Sequence, residues 1–124
     1  MKFLILIYGN AKSRQTWESF SEEQRAEGLR HYAELHGDLV RNGELIAAEA
    51  LGDPSTGRRL PAAPGWEAMA SDGPYAEAKE HLAGFFLVEC DGIDRATEIA
   101  KRIPESNLGL VEVRPMMSYT PVEV

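Results

Sequence analysis

Ser71-Asp72-Gly73-Pro74-Tyr75-Ala76-Glu77-Ala78-Lys79-Glu80-His81-Leu82-Ala83-Gly84-Phe85-Phe86-Leu87-Val88-Glu89 runs from a stiff turn, through a dense charged segment, into a strongly apolar strand. Packing alone does not demand that order, so the segment reads as the place where chain geometry serves a site. The strand spans Leu82 to Cys90. Leu82, Gly84, Phe86, Val88 and Cys90 fall on one face, and Ala83, Phe85, Leu87 and Glu89 on the other. Both sets are mostly apolar, which predicts a strand covered on both faces. In a chain of 124 residues, helices cover one face of a sheet. The other face is expected to meet a second copy, so the chain reads as a homodimer.

The elements on either side fit that strand. Phe3-Leu4-Ile5-Leu6-Ile7-Tyr8 is a short apolar run ended by Gly9-Asn10, a second strand of the same kind. Residues 11 to 20 read as polar and irregular, with Trp17 and Phe20 as isolated apolar points. Ser21-Glu22-Glu23-Gln24 has the form of a capping box and predicts a long helix to Asn42, stopped by Gly43. Ala26, Leu29, Tyr32, Ala33, His36, Leu39 and Val40 are expected on its apolar face. His36 falls near the middle of that face, and His31 falls opposite, in water. Glu44 to Leu51 reads as a strand. Residues 52 to 66 are rich in Gly and Pro; Arg58-Arg59-Leu60 and Trp66 to Asp72 are read as two halves of an inserted hairpin. Asp91 is the expected N-cap of a second helix carrying Ile93, Ala96, Ile99, Ala100 and Ile103, with Pro104 past its end. Leu110 to Met116 alternates as a last strand. The order is a ferredoxin-like βαββαβ α+β plan with a hairpin insertion, one domain over residues 1–124.

Composition narrows the classes. The net charge is −7, from 20 acidic against 13 basic residues, and no basic stripe appears, so no nucleic-acid partner is expected. The apolar start is too short for a membrane span or a signal-peptide core. The lone Cys90 excludes an intrachain disulfide and fits a reducing, cytoplasmic setting. Three scattered histidines and one cysteine lack metal-ligand spacing, and no phosphate loop or nucleophile motif is present, so no metal and no cofactor are expected.

Asp72-Gly73-Pro74-Tyr75-Ala76-Glu77, with Lys79-Glu80-x-Leu82-x-Gly84-Phe85-Phe86, resembles the signature of the YCII-related domain family in its DGPF-type branch. The opening Leu6-Ile7-Tyr8-Gly9, the stop at Gly43, Glu49-Ala50-Leu51 and the closing Val111-Glu112-Val113-Arg114-Pro115 extend the resemblance over almost the whole chain. Tyr75, Ala78, His81 and Ala83 depart from the family's usual Phe, Thr, Gln and Gly. The resemblance implies a dimeric α+β barrel, with two sheets packed face to face and a pocket between sheet and loops. It also implies a helix-one histidine, a position that Tyr32 or His31 fits better than His36. Genes of the branch often adjoin extracytoplasmic-function sigma factors.

Candidate site residues follow from chemistry and place. Asp72 either caps its turn or serves as a base, and His81 at the head of the strand is a second base; both are candidate catalytic groups. Tyr8 is a candidate proton donor. His36 is either a core histidine or a base. Glu77 and Glu80 are either solvated or turned into a cavity, where Lys79 would hold an anion. Tyr75 adds a hydroxyl beside that cavity. Glu112 and Arg114 share a strand face; they pair with each other or with Glu49, or Arg114 holds a carboxylate ligand. Trp66 either walls the pocket or packs the hairpin. Two functions are open: a small cofactor-independent enzyme doing isomerisation, elimination or addition on a small metabolite, or a ligand-binding or regulatory interaction module linked to a sigma factor.

Overall fold

In the computed structural model, which describes residues 1–69 and 80–117, the chain runs through β1 (Lys2–Asn10), α1 (Ala11–Ser19), α2 (Glu22–Arg41), β2 (Leu45–Ala50), β3 (Glu80–Glu89), α3 (Ile93–Lys101) and β4 (Val111–Pro115). The sheet order is β2-β3-β1-β4, and every pairing is antiparallel. This is the ferredoxin-like α+β plan expected from the sequence. The two strongest apolar runs, β1 and β3, take the central positions, where both flanks of the backbone are hydrogen-bonded.

The helix side of the sheet carries the core. Phe3, Ile5 and Ile7 alternate along β1, and Phe3 and Ile5 pair with Val88 and Phe86 of β3. Leu35 and Leu39 from α2, with Ala96, Ile99, Ala100 and Ile103 from α3 and its end, close over them. The predicted face of α2 was rotated by about one residue. Arg25, Gly28, Tyr32, Leu35 and Leu39 are buried or half-buried in steps of three and four, with Gly37 and Asp38 half-buried beside them, whereas Leu29, His36 and Val40 are exposed. His36 is therefore neither a core histidine nor a cleft residue. Counting apolar letters drew the stripe toward Leu29 and Val40 and away from Leu35.

Residues 11 to 19 are helical, contrary to the irregular segment expected. Asn10 Oδ1 accepts from the Ser13 amide at 2.7 Å, and Ser13 Oγ accepts from the Asn10 amide at 2.9 Å. This box starts α1 with no buried residue of its own. Its other end is held from α2: Arg25 donates to the carbonyls of Trp17 and Glu18, and its guanidinium lies 5.8 Å from the Trp17 ring centre. Donors at a helix C-terminus satisfy carbonyls that the helix leaves open.

The predicted hairpin is absent among the described residues. Residues 51–69 form coil with two 3-10 turns, Pro54–Thr56 and Glu67–Met69, so neither Arg58-Arg59-Leu60 nor Trp66 to Met69 is a strand; residues 70–72 of the expected second half lie outside the described residues. Alternation in that region is too short to outweigh its prolines and glycines. An Arg14–Asp53 ion pair ties the excursion to α1. The N-cap of α3 is Gly92 rather than Asp91, without a side-chain cap. The helix is positioned instead by Arg95, whose Nε and Nη2 donate to Glu44 at 2.9 and 2.8 Å. These bonds hold the Glu44 carboxyl below its ordinary value.

Gly84 is sterically required. A Cβ there would sit 2.9 Å from the Glu49 carbonyl oxygen, which is backbone and cannot swing away. Gly84→Ala is expected to lower stability by about 1–3 kcal/mol. Urea unfolding checks this, and a change under about 0.5 kcal/mol, the scale of a neutral surface substitution, would refute it.

Candidate functional site

A cleft of ≈ 480 Å³ opens on the helix side of the sheet, between the ends of β1 and β3, α1, the first half of α2 and the 3-10 turn Pro104–Leu108. Its walls include Trp17, Phe20, Leu29 and Leu108, with Asn10, Ser13, Tyr32, His81 and Glu105 as polar points. A second cavity of ≈ 430 Å³, toward β2, shares Leu29, Tyr32, Ala83 and Glu105 with the first. Both lie in the size range of small-molecule sites, and both are mostly apolar, as such sites are.

Tyr32 and Glu105 stand where the two cavities meet. The Tyr32 hydroxyl donates to Glu105, lying 2.6 Å from each carboxylate oxygen. The Tyr32 ring runs parallel to Phe86, with centroids 6.4 Å apart. The pair spans 73 residues of sequence. The sequence placed Pro104 as a helix stop; in the fold Pro104 opens a 3-10 turn that lifts Glu105 to Tyr32. Burial, then the bond to Glu105, pushes the Tyr32 phenol far above its ordinary value of 10.0. A phenol that holds its proton longer when folded contributes full stability below pH ~10 and loses it as pH rises beyond. Wild type is therefore expected to lose up to about 1.4 kcal/mol per pH unit above pH ~10 that Tyr32→Phe keeps. Denaturant melts from neutral to alkaline pH read the difference, and parallel slopes for the two proteins would refute it.

His81 reaches the cleft through a break in the strand pattern. Ile7 pairs with Gly84 but Tyr8 pairs with Leu82, leaving Ala83 as an extra residue in β3. A bulge of this kind re-aims the side chains beyond it. Leu82 consequently lies opposite Tyr8, at 37% exposure, and not with Gly84 and Phe86 as strict alternation predicts. His81 pairs with Gly9, and its imidazole lies against that glycine, where a Cβ would be 2.9 Å from Nε2. No hydrogen bond or ion pair joins the imidazole to another described residue, and it lines the cleft.

The opposite sheet face holds the other predicted group. Leu4 pairs with Leu87, and Leu6 with Phe85, making an apolar centre. At its margin the Tyr8 hydroxyl donates to Glu112 Oε1 at 2.8 Å, which raises the phenol above its ordinary value. Glu112 thus pairs with Tyr8 and not with Arg114; among the described residues Arg114 makes no ion pair. Nor does Glu49 reach either residue. It sits on β2, three strands from β4 in the sheet order and roughly 14 Å away at the usual strand spacing. Trp66 is 61% exposed and lines neither cavity. Glu80 is exposed at the start of β3. Asp72, Tyr75, Glu77 and Lys79 lie outside the described residues.

A four-stranded antiparallel sheet with helices on one side and a cleft beneath them defines a ferredoxin-like α+β protein. The YCII-related domain model matches residues 1–120, and the chain belongs to that family. It is also similar to an uncharacterised protein of Rhizobium meliloti (strain 1021). The two are 30% identical over 126 residues, covering 100% of this chain and 98% of the relative. No helix among the described residues is long and apolar enough to cross a membrane.

Proposed function

We propose that this protein, a DGPF-type YCII relative, is a small cofactor-independent enzyme doing acid–base chemistry on a small metabolite held in the helix-side cleft. The observation that carries this reading is the convergence of two proton-handling groups on one apolar cleft: the His81 imidazole, and the Tyr32–Glu105 pair. A base and an acid on different walls suit isomerisation, elimination or addition. His81 serves as the base. Tyr32 keeps its proton at neutral pH and serves as donor, with Glu105 orienting it. Asp72 stays a proposed acid–base group, and Tyr75, Glu77 and Lys79 proposed ligand contacts, on the strength of the signature they belong to.

The sheet face with Leu4, Leu6, Phe85 and Leu87 is proposed to meet a second copy. Tyr8, Glu112 and Arg114 would then lie along the seam, and the homodimer is proposed to work in the cytoplasm. Sedimentation at micromolar concentration tests the dimer; a clean monomer would remove that part.

A thermal-shift screen of the intact protein against metabolite pools, with product analysis of each hit, tests the enzyme reading. Conversion of a hit supports it, and binding without conversion overturns it. A second reading, a regulatory interaction module linked to an extracytoplasmic-function sigma factor, is favoured by one observation. Leu60, Trp66 and Met69 stand exposed on the excursion, where a partner could cover them.

A further inference from the structure

We propose that the ligand of the helix-side cleft carries a protonated amine on a planar apolar body, and not a carboxylate or phosphate. This rests on the cleft being the site, as read above. The charges around the two cavities decide it. Glu105 lines both, whereas Glu49, opposite Phe85 on the far face of the sheet, gives the inner one its backbone and not its carboxylate. Among the described lining residues Arg14 is the one permanent cation, and its guanidinium is engaged by Asp53. The waist of the cavity is therefore negative.

Glu105 also has acceptor capacity to spare. Two carboxylate oxygens share the single proton of the Tyr32 hydroxyl at 2.6 Å, so lone pairs remain for an N–H donor. A charged donor there makes a charge-assisted bond, whereas an anion meets like charge with partial desolvation. On either side of the waist the walls are rings and aliphatic chains: Trp17, Phe20 and Leu108 outward, Ile7 and Phe86 inward. They suit a flat body attached to the amine.

The test uses three probes of one shape: phenethylamine, 2-phenylethanol and 3-phenylpropionate. The intact protein carries Trp66→Phe, so that Trp17, the other of its two tryptophans, reports occupation of the cleft by fluorescence. The amine is expected to bind at least about tenfold more tightly than the carboxylate, a difference of about 1.4 kcal/mol. Glu105→Gln should erase that preference. Tyr32→Phe, which keeps the carboxylate, should retain it and guards against a folding defect in Glu105→Gln. A carboxylate that changes Trp17 emission and binds as tightly as the amine overturns the amine class and leaves the cleft standing. An unchanged preference in Glu105→Gln overturns the amine class as well. If none of the three changes Trp17 emission at about millimolar concentration, the scale of weak binding, the cleft reading and the amine proposal fall together.

Discussion

Leu39→Ala is expected to destabilise the protein by about 2–5 kcal/mol and to lower the melting temperature by about 8–20 °C. Leu39 is fully buried, and it belongs to the cluster that joins α2 to β1, β3 and α3. Removing its branched end leaves a cavity that several rigid elements must collapse to fill. The loss is a large share of the ~5–15 kcal/mol that holds a domain folded. The neighbouring Val40→Ala supplies the contrast. Val40 is 56% exposed and should change stability by less than about 0.5 kcal/mol. Equal losses in the two variants would mean that α2 is rotated as the apolar letters of the sequence suggested, and not as Leu35 and Leu39 place it.

His81→Ala is expected to reduce turnover of a substrate found by product analysis by about 10²–10⁴-fold. The imidazole lies in the cleft against Gly9, and no bond to a described residue depends on it, so the thermal stability of the variant should match wild type. One measurement separates the chemical role from a binding one. Loss of a proton-acceptor acts on kcat, whereas loss of a wall contact acts mainly on KM. An unchanged kcat would remove His81 as the base.

Most of the fold was legible because it is written in local pattern. The runs Phe3 to Tyr8 and Leu82 to Cys90 occupy β1 and β3, and Ser21 and Gln24 close the expected box, with Gln24 Oε1 accepting from the Ser21 amide at 2.9 Å. What stayed hidden depends on long-range partners. α1 has no apolar stripe, and its start is marked by an Asn–Ser box in place of the usual Ser–Gln form. Tyr32 reads as one more face residue of a helix, and nothing in the local sequence singles out Glu105; only the closed fold brings them to 2.6 Å. A pairing of Arg114 with Glu49 is compatible with the strands taken singly, and only the sheet order, which sets β2 and β4 at opposite edges, keeps them apart. The Tyr8–Glu112 bond needs β1 and β4 side by side, which the alternation of each strand alone does not say.

The extra residue at Ala83 bears on how homologous chains are compared. On one side of it odd-numbered positions of β3 face away from the helices; on the other, His81 faces toward them. A relative one residue shorter at this point could keep the same imidazole in the same place, with the ladder simply closed up. A relative of equal length whose ladder runs straight through would turn its matching side chain to the far surface. Column-by-column alignment across residues 81–84 therefore equates letters without equating directions, and inheritance of this histidine has to be judged by spacing as well as by identity.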